Sequence, residues 1–369
     1  MKVLNIISDT NIGGAGMVLE NYLRHRDRDS FELSVALPSG SLLTERITPF
    51  GVPVYELEGI ADKSMDMRAV RELKKVIRRA DPDIVHTHGA FAGRIAGRQC
   101  GRRVVVTRHS AFPLPGRMQK QPFRTVYRLL TEHYADRIIC VSPICRDYLT
   151  EIGVREDLFS VVINGVERKM RADEAHCAAM RKKLGTEGMF TAGSVARIEP
   201  YKGQDVMVRA ARILKDRGRK IKLVAAGTGS FEPEVKALAV QLGVEDSVVF
   251  PGFVREVPEL LSVLDVQLST SHIEATSLSL LEGFSMGVPA VVSDIPGNAG
   301  VVTDGVTGRL FPDGDAGALA DVIEQLMDSP GLLQTWGENA AADYESRFTG
   351  EAFARRIEQV YREVMEVRK

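Results

Sequence analysis

Residues 271–298 read SHIEATSLSLLEGFSMGVPAVVSDIPGN and carry two carboxylates, Glu274 and Glu282, separated by seven residues. Glu274 lies in a short polar stretch. Thr276 and Ser277 follow, both good helix N-caps because a side-chain oxygen can take up a free N–H of the first turn. The apolar run Leu278, Leu280, Leu281, Phe284 and Met286 predicts a helix that begins near Leu278. Gly287, Val288 and Pro289 stop it before a buried strand at 290–292. Glu282 then stands about one turn into the helix, so both carboxylates can reach one pocket. Between them lies the helix N-terminus, whose unpaired N–H groups and positive dipole end suit an anion such as phosphate. Carboxylates accept hydrogen bonds from hydroxyls. The pattern therefore suits a ligand with hydroxyls at both ends and phosphates in the middle, the profile of a nucleotide sugar.

Elements that could position these groups recur along the chain. A buried strand at 3–8 leads into the turn 9–16, DTNIGGAG, and a helix expected from near Met17. Gly13 and Gly14 would let a ligand approach the backbone there. The turn has no Gly-Lys-Ser/Thr and no complete G-x-G-x-x-G, so it is neither a P-loop nor a dinucleotide fingerprint. Strand signals at 31–37, 54–57, 84–88, 103–107 and 137–142 alternate with helical stretches such as 67–79, which predicts a parallel sheet covered on both faces. Ligands of such sheets bind beyond the carboxyl ends of the strands, where His88 and His109 fall. The second half repeats the pattern. A strand at 190–195 turns through ARIEPYKG (196–203) into a helix at 204–217, and one at 222–226 ends in Gly227-Thr228-Gly229. A strand at 247–250 runs into Pro251-Gly252-Phe253-Val254, and one at 264–269 leads into the Glu274 stretch. Helices are expected at 314–327 and 331–336. A last one over 349–367 carries Phe353, Ile357, Val360, Tyr361 and Val364 at helical spacing.

The E-x7-E spacing, the helix and the following Gly-Val-Pro-Ala-Val-Val-Ser resemble glycosyltransferase family 4, retaining enzymes of the GT-B fold. The resemblance covers essentially the whole chain. It implies an α/β architecture of two Rossmann-like domains whose parallel sheets face each other across a cleft. Residues 1–168 would form the acceptor-side domain and 169–348 the donor nucleotide-sugar domain. The terminal helix at 349–369 would cross back to the first domain. Linker character runs from Asn164-Gly165-Val166 to about Arg171.

The resemblance also implies roles. Glu274 would accept from hydroxyls of the transferred sugar and Glu282 from the ribose. His109 would point at the transferred sugar. Arg197 and Lys202, with the Gly13-Gly14 turn and the amides around Ser277 and Leu278, would hold the donor diphosphate. Gly227 would shape the nucleotide pocket, and the backbone at Val254 would lie next to the base. The implied activity is transfer of a hexosyl unit from a nucleoside diphosphate sugar to an acceptor hydroxyl, with retention, in glycolipid or surface polysaccharide synthesis. Charge arrives on the departing diphosphate, so prearranged cations stabilise the transition state. Three other readings stay open: a nucleotide-sugar 2-epimerase, a disaccharide phosphorylase and a non-enzymatic sugar-binding protein. Two positions depart from the family pattern. Ile163 stands where a proline usually precedes Asn-Gly-Val, and Glu274-Ala275-Thr276 replaces Glu-Gly-Phe, which reshapes the sugar pocket. The base, the sugar and the acceptor are not specified.

A chain of 369 residues, 44% apolar and 26% charged, suggests two globular domains. It contains no run of 18 apolar residues, and Met1-Lys2-Val3 enters a strand rather than a signal peptide, so a cytoplasmic protein is expected. The four cysteines (Cys100, Cys140, Cys145, Cys177) lack metal or disulfide spacing and read as packing thiols. The net charge of −1 conceals an asymmetry: residues 1–171 hold 27 Lys+Arg against 20 Asp+Glu. The basic residues concentrate at Arg94, Arg98, Arg102, Arg103 and Arg108, then at Arg117, Lys120, Arg124 and Arg128. They read either as a solvated face or as a surface for anionic lipid or a phosphorylated acceptor, placing the protein at the inner face of the membrane. Residues 116–136 read as a loop followed by an amphipathic helix with Phe123, Val126, Tyr127, Leu130 and Tyr134 on one side and arginines on the other, either a core-facing surface helix or the candidate for touching a membrane or acceptor. Nucleic acid is not an expected partner. The D-x-D pairs Asp27/Asp29, Asp81/Asp83 and Asp313/Asp315 sit in turns or at the amino end of a sheet, and His86 with His88 lacks a third ligand, so no metal or cofactor is expected.

Overall fold

Unbroken aliphatic runs such as Val3-Leu4 and Val104-Val105-Val106 suit strands buried on both faces, which is what a parallel sheet covered by helices requires. In the computed structural model, which describes residues 1–8, 10, 13–58 and 66–366, those runs form two parallel sheets. The chain divides into a unit of Met1–Val166 with Gly350–Lys369 and a unit of Glu167–Thr349.

The first unit holds β1 (Lys2–Ile7), β2 (Glu32–Pro38), β3 (Val54–Leu57), β4 (Ile84–His88), β5 (Arg103–Arg108), β6 (Arg137–Cys140) and β7 (Phe159–Val161). They pair in the order β3-β2-β1-β4-β5-β6-β7. The order reverses between β1 and β4, where Ile7 stands beside His88. The terminal helix Gly350–Glu366 belongs to this unit and buries Phe353, Ile357, Tyr361 and Val364.

Two local expectations are corrected. The helix after β1 spans Gly14–His25, starting three residues before Met17, because extended Gly13 (φ −93°, ψ 179°) serves as its cap. The basic stretch is the expected loop and helix, a short 3-10 turn at Gly116–Gln119 and the helix Phe123–His133, and what differs is the core-facing reading of that helix. Two residues of its apolar side, Phe123 and Val126, are 37% and 51% exposed, and Leu129, outside that side, is 52% exposed. The physical reason is that Arg124 is drawn inward, donating to the carbonyls of Glu151 (2.7 Å) and Ile152 (3.4 Å).

The second unit holds β8 (Phe190–Val195), β9 (Ile221–Ala226), β10 (Val248–Gly252), β11 (Val266–Ser269), β12 (Ala290–Ser293) and β13 (Gly308–Phe311). Their order is β10-β9-β8-β11-β12-β13, reversing between β8 and β11. Leu214, Leu223, Val266, Val291, Phe311 and Ile323 build its core. All four cysteines are free, and burial pushes the Cys140 thiol up to about 12, leaving it an inert packing group. Among the described residues no helix is long and apolar enough to cross a membrane.

Candidate functional site

In an open parallel sheet the crevice at the point where strand order reverses is the natural ligand site. In the second unit the turn after β8 and the loop after β11 flank that point. The turn carries Arg197 and the 3-10 segment Pro200–Lys202, and the loop carries Glu274. The two are bonded to each other. Thr270 Oγ1 donates to Lys202 O (3.1 Å), and the His272 N–H donates to Tyr201 O (2.9 Å). Gly203 is left-handed (φ +64°), and a Cβ there would lie 2.1 Å from Thr270 O. This stitching brings Lys202 Nζ into a direct ion pair with Glu274 Oε2, with only 14% and 13% of the two side chains exposed.

Arg197 donates to the Tyr201 hydroxyl, and its guanidinium lies 5.9 Å from the Tyr201 ring centre, with Lys202 Nζ 5.6 Å from the same ring. Tyr201 thus spaces two cations whose mutual repulsion would otherwise separate them. Gly227 has φ +139°, and a Cβ would lie 1.9 Å from Ala196 O. Its immediate task is therefore to let the turn after β9 pack on the turn that holds Arg197. Val254 is buried with Leu260 and Leu261, while Phe253 beside it is 73% exposed.

The helix Leu278–Ser285 begins at the residue the sequence predicts, capped by Ser277, whose Oγ accepts from the Leu280 N–H. Glu282 lies on it with Oε1 3.9 Å from Lys169 Nζ. Burial raises the Glu282 carboxyl above its usual range, and Lys169 opposes that shift. The two glutamates therefore have separate lysine partners.

Several supports carry no sequence signal. A Cβ at Gly297 would lie 1.8 Å from Glu274 O, so this glycine admits the Glu274 backbone. Asn298 Nδ2 donates to Ser293 O and Ser293 Oγ (3.0 Å each), and Ser293 Oγ donates to Ser271 O. His272 Nδ1 meets Asp313 at 2.7 Å. Of the other D-x-D carboxylates, Asp315 caps the helix Ala316–Met327, Asp81 pairs with Arg102, Asp83 accepts the Lys2 N–H and Asp27 accepts from Asp29 and Ser30. Each of these four already has a structural role. Among the described residues no three potential metal ligands cluster.

In the first unit Gly13 and Gly14 open the helix after β1. A Cβ at Gly14 would meet nothing within 4 Å, so packing does not demand glycine there. Asp9, Asn11 and Ile12 of the same turn lie outside the described residues. At the carboxyl ends of β4 and β5, His109 Nε2 is 2.9 Å from His88 Nδ1, and across the strand reversal His88 Nε2 is 3.3 Å from Asn5 Oδ1. His86 is held by the Tyr361 hydroxyl and Thr107 Oγ1, 2.7 Å each. Burial pulls His109 down to about 4 and His86 to about 3, and pulls His88 down as well. All three rings are thus neutral at neutral pH. With Asn5 Oδ1 accepting from His88 Nε2–H, His88 Nδ1 accepts from His109 Nε2–H. His109 Nδ1 is left as a hydrogen-bond acceptor, a tautomer assigned from this network.

The second unit can thus neutralise an anion with two cations and accept hydroxyls on two carboxylates, and the first offers a neutral imidazole acceptor. Comparison with known proteins agrees in kind. Residues 12–169 match the family described as Glycosyltransferase Family 4, and residues 178–343 the one described as Glycosyl transferases group 1. A putative glycosyltransferase, EpsD of Bacillus subtilis (strain 168), is 30% identical over 288 residues, covering 74% of each chain. The alpha-monoglucosyldiacylglycerol synthase of Streptococcus pneumoniae is 25% identical over 328 residues, 84% of this chain and 73% of its own. Anabaena Alr3699/HepE, solved in complex with UDP-glucose, superposes with a TM-score of 0.84 at 22% identity, over 98% of this chain and 100% of its own.

Proposed function

Because the chain belongs to the family 4 glycosyltransferases, we propose that it moves a hexosyl unit from a nucleoside diphosphate sugar to an acceptor hydroxyl with retention of configuration. The observation that carries this reading is the Lys202–Glu274 pair at the strand reversal of the second unit, with Arg197 beside it. A diphosphate needs the cations and a sugar needs the carboxylate, so one ligand class uses both.

In this reading Lys202, Arg197 and the amides around Ser277 and Leu278 take the charge that develops on the leaving diphosphate. Gly13 and Gly14 are assigned to the same diphosphate, Gly227 and the Val254 backbone to the nucleotide, and Glu282 to the ribose. Glu274 orients the transferred sugar, and His109 accepts from one of its hydroxyls. The displacement is front-face, with the leaving diphosphate helping to take the acceptor proton, and it needs neither a covalent nucleophile nor a metal. Catalysis is then positioning and electrostatics.

The acceptor is a carbohydrate or a lipid-linked molecule of glycolipid or surface polysaccharide synthesis, reached at the inner face of an anionic membrane. The exposed Phe123, Val126 and Leu129 support this, since Arg117 and Lys120 border them and Arg117 stacks 4.1 Å over Phe123. A thermal-shift panel of nucleoside diphosphates and their sugars identifies the donor, because a ligand that binds only the folded form raises apparent stability. With that donor, Glu274→Ala is expected to fold and lose most transfer while wild type keeps its rate in excess chelator. Near wild-type turnover by the variant removes the assignment, and a rate abolished by chelator removes the metal-free mechanism.

A further inference from the structure

The structure sorts the basic residues of the first unit into compensated and uncompensated ones. Arg98 and Arg103 share Asp136 (3.2 and 3.4 Å), and Arg102 pairs with Asp81. Buried guanidinium Nε atoms without an acceptor also occur in Arg26, Arg102, Arg137 and Arg219, yet each of those donates through another nitrogen. Arg94 differs. Its Nε is enclosed and unpartnered, it has no hydrogen-bond acceptor and no carboxylate among the described residues, and it rests on the Phe91 ring at 5.3 Å. Arg108 has an enclosed, unpartnered Nε too; like Arg26 it donates to a backbone carbonyl, from Nη2 to Phe112 O at 2.9 Å. Among the described residues it has no carboxylate partner, and unlike Arg26 it stands beside Arg94.

The two stand at the carboxyl end of the first sheet. Arg94 lies in the helix Phe91–Gln99 that follows β4, and Arg108 ends β5 next to His109. They are near enough for the charge of Arg108 to help lower the Arg94 guanidinium, which burial brings to about 10 with Tyr127 opposing. A half-enclosed cation without a counter-ion is costly, and a second one beside it is costlier. No carboxylate among the described residues repays that cost, and a bound anion would. Guanidinium forks match phosphate oxygens in geometry as well as charge.

We propose that Arg94 and Arg108 form a phosphate-binding subsite, so that the acceptor is recognised through a phosphate group. The subsite rests on the arginines alone, and its assignment to the acceptor rests on the proposed glycosyl transfer. The phosphate can belong to a soluble ester or to a lipid headgroup.

The test titrates glycerol 3-phosphate, with glycerol as the neutral control, into full-length protein while following the arginine Nε–H resonances. A parallel arm measures binding to vesicles of phosphatidic acid in phosphatidylcholine. Shifts at Arg94 and Arg108, weakened about tenfold or more in Arg94→Gln and in Arg108→Gln but kept in Arg197→Gln, identify a soluble phosphate ester. The same losses in the vesicle arm alone identify a headgroup. Arg94→Gln is also expected to melt no lower than wild type without phosphate, since it removes an uncompensated charge. The subsite is overturned if both variants bind both probes as wild type does, or if glycerol binds equally well. Nucleoside diphosphate binding reads the donor assignment separately, so failure of either idea is told from failure of the other.

Discussion

Glu274 and Lys202 were legible in the sequence by type and local context, but their contact was not, because 72 residues separate them and only the strand reversal brings them together. The contact changes what removing each should do. Lys202 is already paired with Glu274, so a diphosphate that draws on its charge competes with that carboxylate. Lys202→Ala is expected to weaken nucleoside diphosphate binding by about 1.5–3 kcal/mol, one charge-assisted bond. Glu274→Gln is expected to bind the same nucleotide at least as tightly as wild type although transfer is lost, because it frees the lysine and removes a like charge. Calorimetry on the two variants decides it, and weaker binding by Glu274→Gln contradicts competition for Lys202. Tyr201 shows the complementary limit. A tyrosine between two cations looks unremarkable in a sequence, and its spacing role appears only once Arg197 bonds to its hydroxyl and His272 to its carbonyl.

At the scale of elements, the helix Leu278–Ser285 was legible to the residue because cap, apolar period and Gly-Val-Pro stop agree. The loop before it was not, since a tight backbone approach leaves no periodic trace. Gly297 is the example. Its helical conformation needs no glycine, yet a Cβ would meet Glu274 O. Gly297→Ala is expected to cost about 1–3 kcal/mol and to lower the Tm by several degrees, with transfer reduced as Glu274 moves. Unchanged melting and turnover would show that the loop gives way freely. The helix Phe123–His133 was legible as amphipathic, but which way its apolar side faces was not. Its periodicity is real, but carbonyls at Glu151 and Ile152 recruit Arg124 inward and leave an apolar edge in water. If that edge meets a membrane, wild type should sediment with phosphatidylglycerol vesicles and Val126→Asp/Leu129→Asp should lose at least about tenfold in binding. Both sites are exposed, so the fold should persist, and equal sedimentation of the double variant rules the surface out.

For the molecule as a whole, the two sheets were legible because strands buried on both faces read as apolar runs ending in glycine turns. Strand order was not, since pairing across the reversal depends on contacts distant in sequence. In the first unit the pairing of β4 with β5 gathers His86, His88 and His109, and their burial gives the protein a definite response to acid. His86 is held neutral with a folded value of about 3 against 6.5 for a free imidazole. Between those values the unfolded chain binds more protons than the folded one, so stability rises with pH. It is complete above about 6.5 and is lost progressively as the pH falls toward about 3. At roughly 1.4 kcal/mol per pH unit, the shift of His86 alone corresponds to several kcal/mol. The raised carboxyl of Glu358, on the terminal helix of the same unit, acts in the opposite direction, since its protonation favours the folded state. The raised carboxyls of Glu282, Asp265 and Asp343 and the raised His176 also bind their protons more tightly in the folded state. Over the interval from about 6.5 to 5 the share of the buried histidines is therefore read from the difference between wild type and a His86 variant. Denaturant unfolding across that interval should show stability falling with acidity in wild type. His86→Gln, which keeps a polar group near Tyr361 and Thr107 without the titration, should flatten the slope while lowering stability at pH 7. A variant that parallels the wild-type profile would mean that the buried imidazoles do not control the acid response.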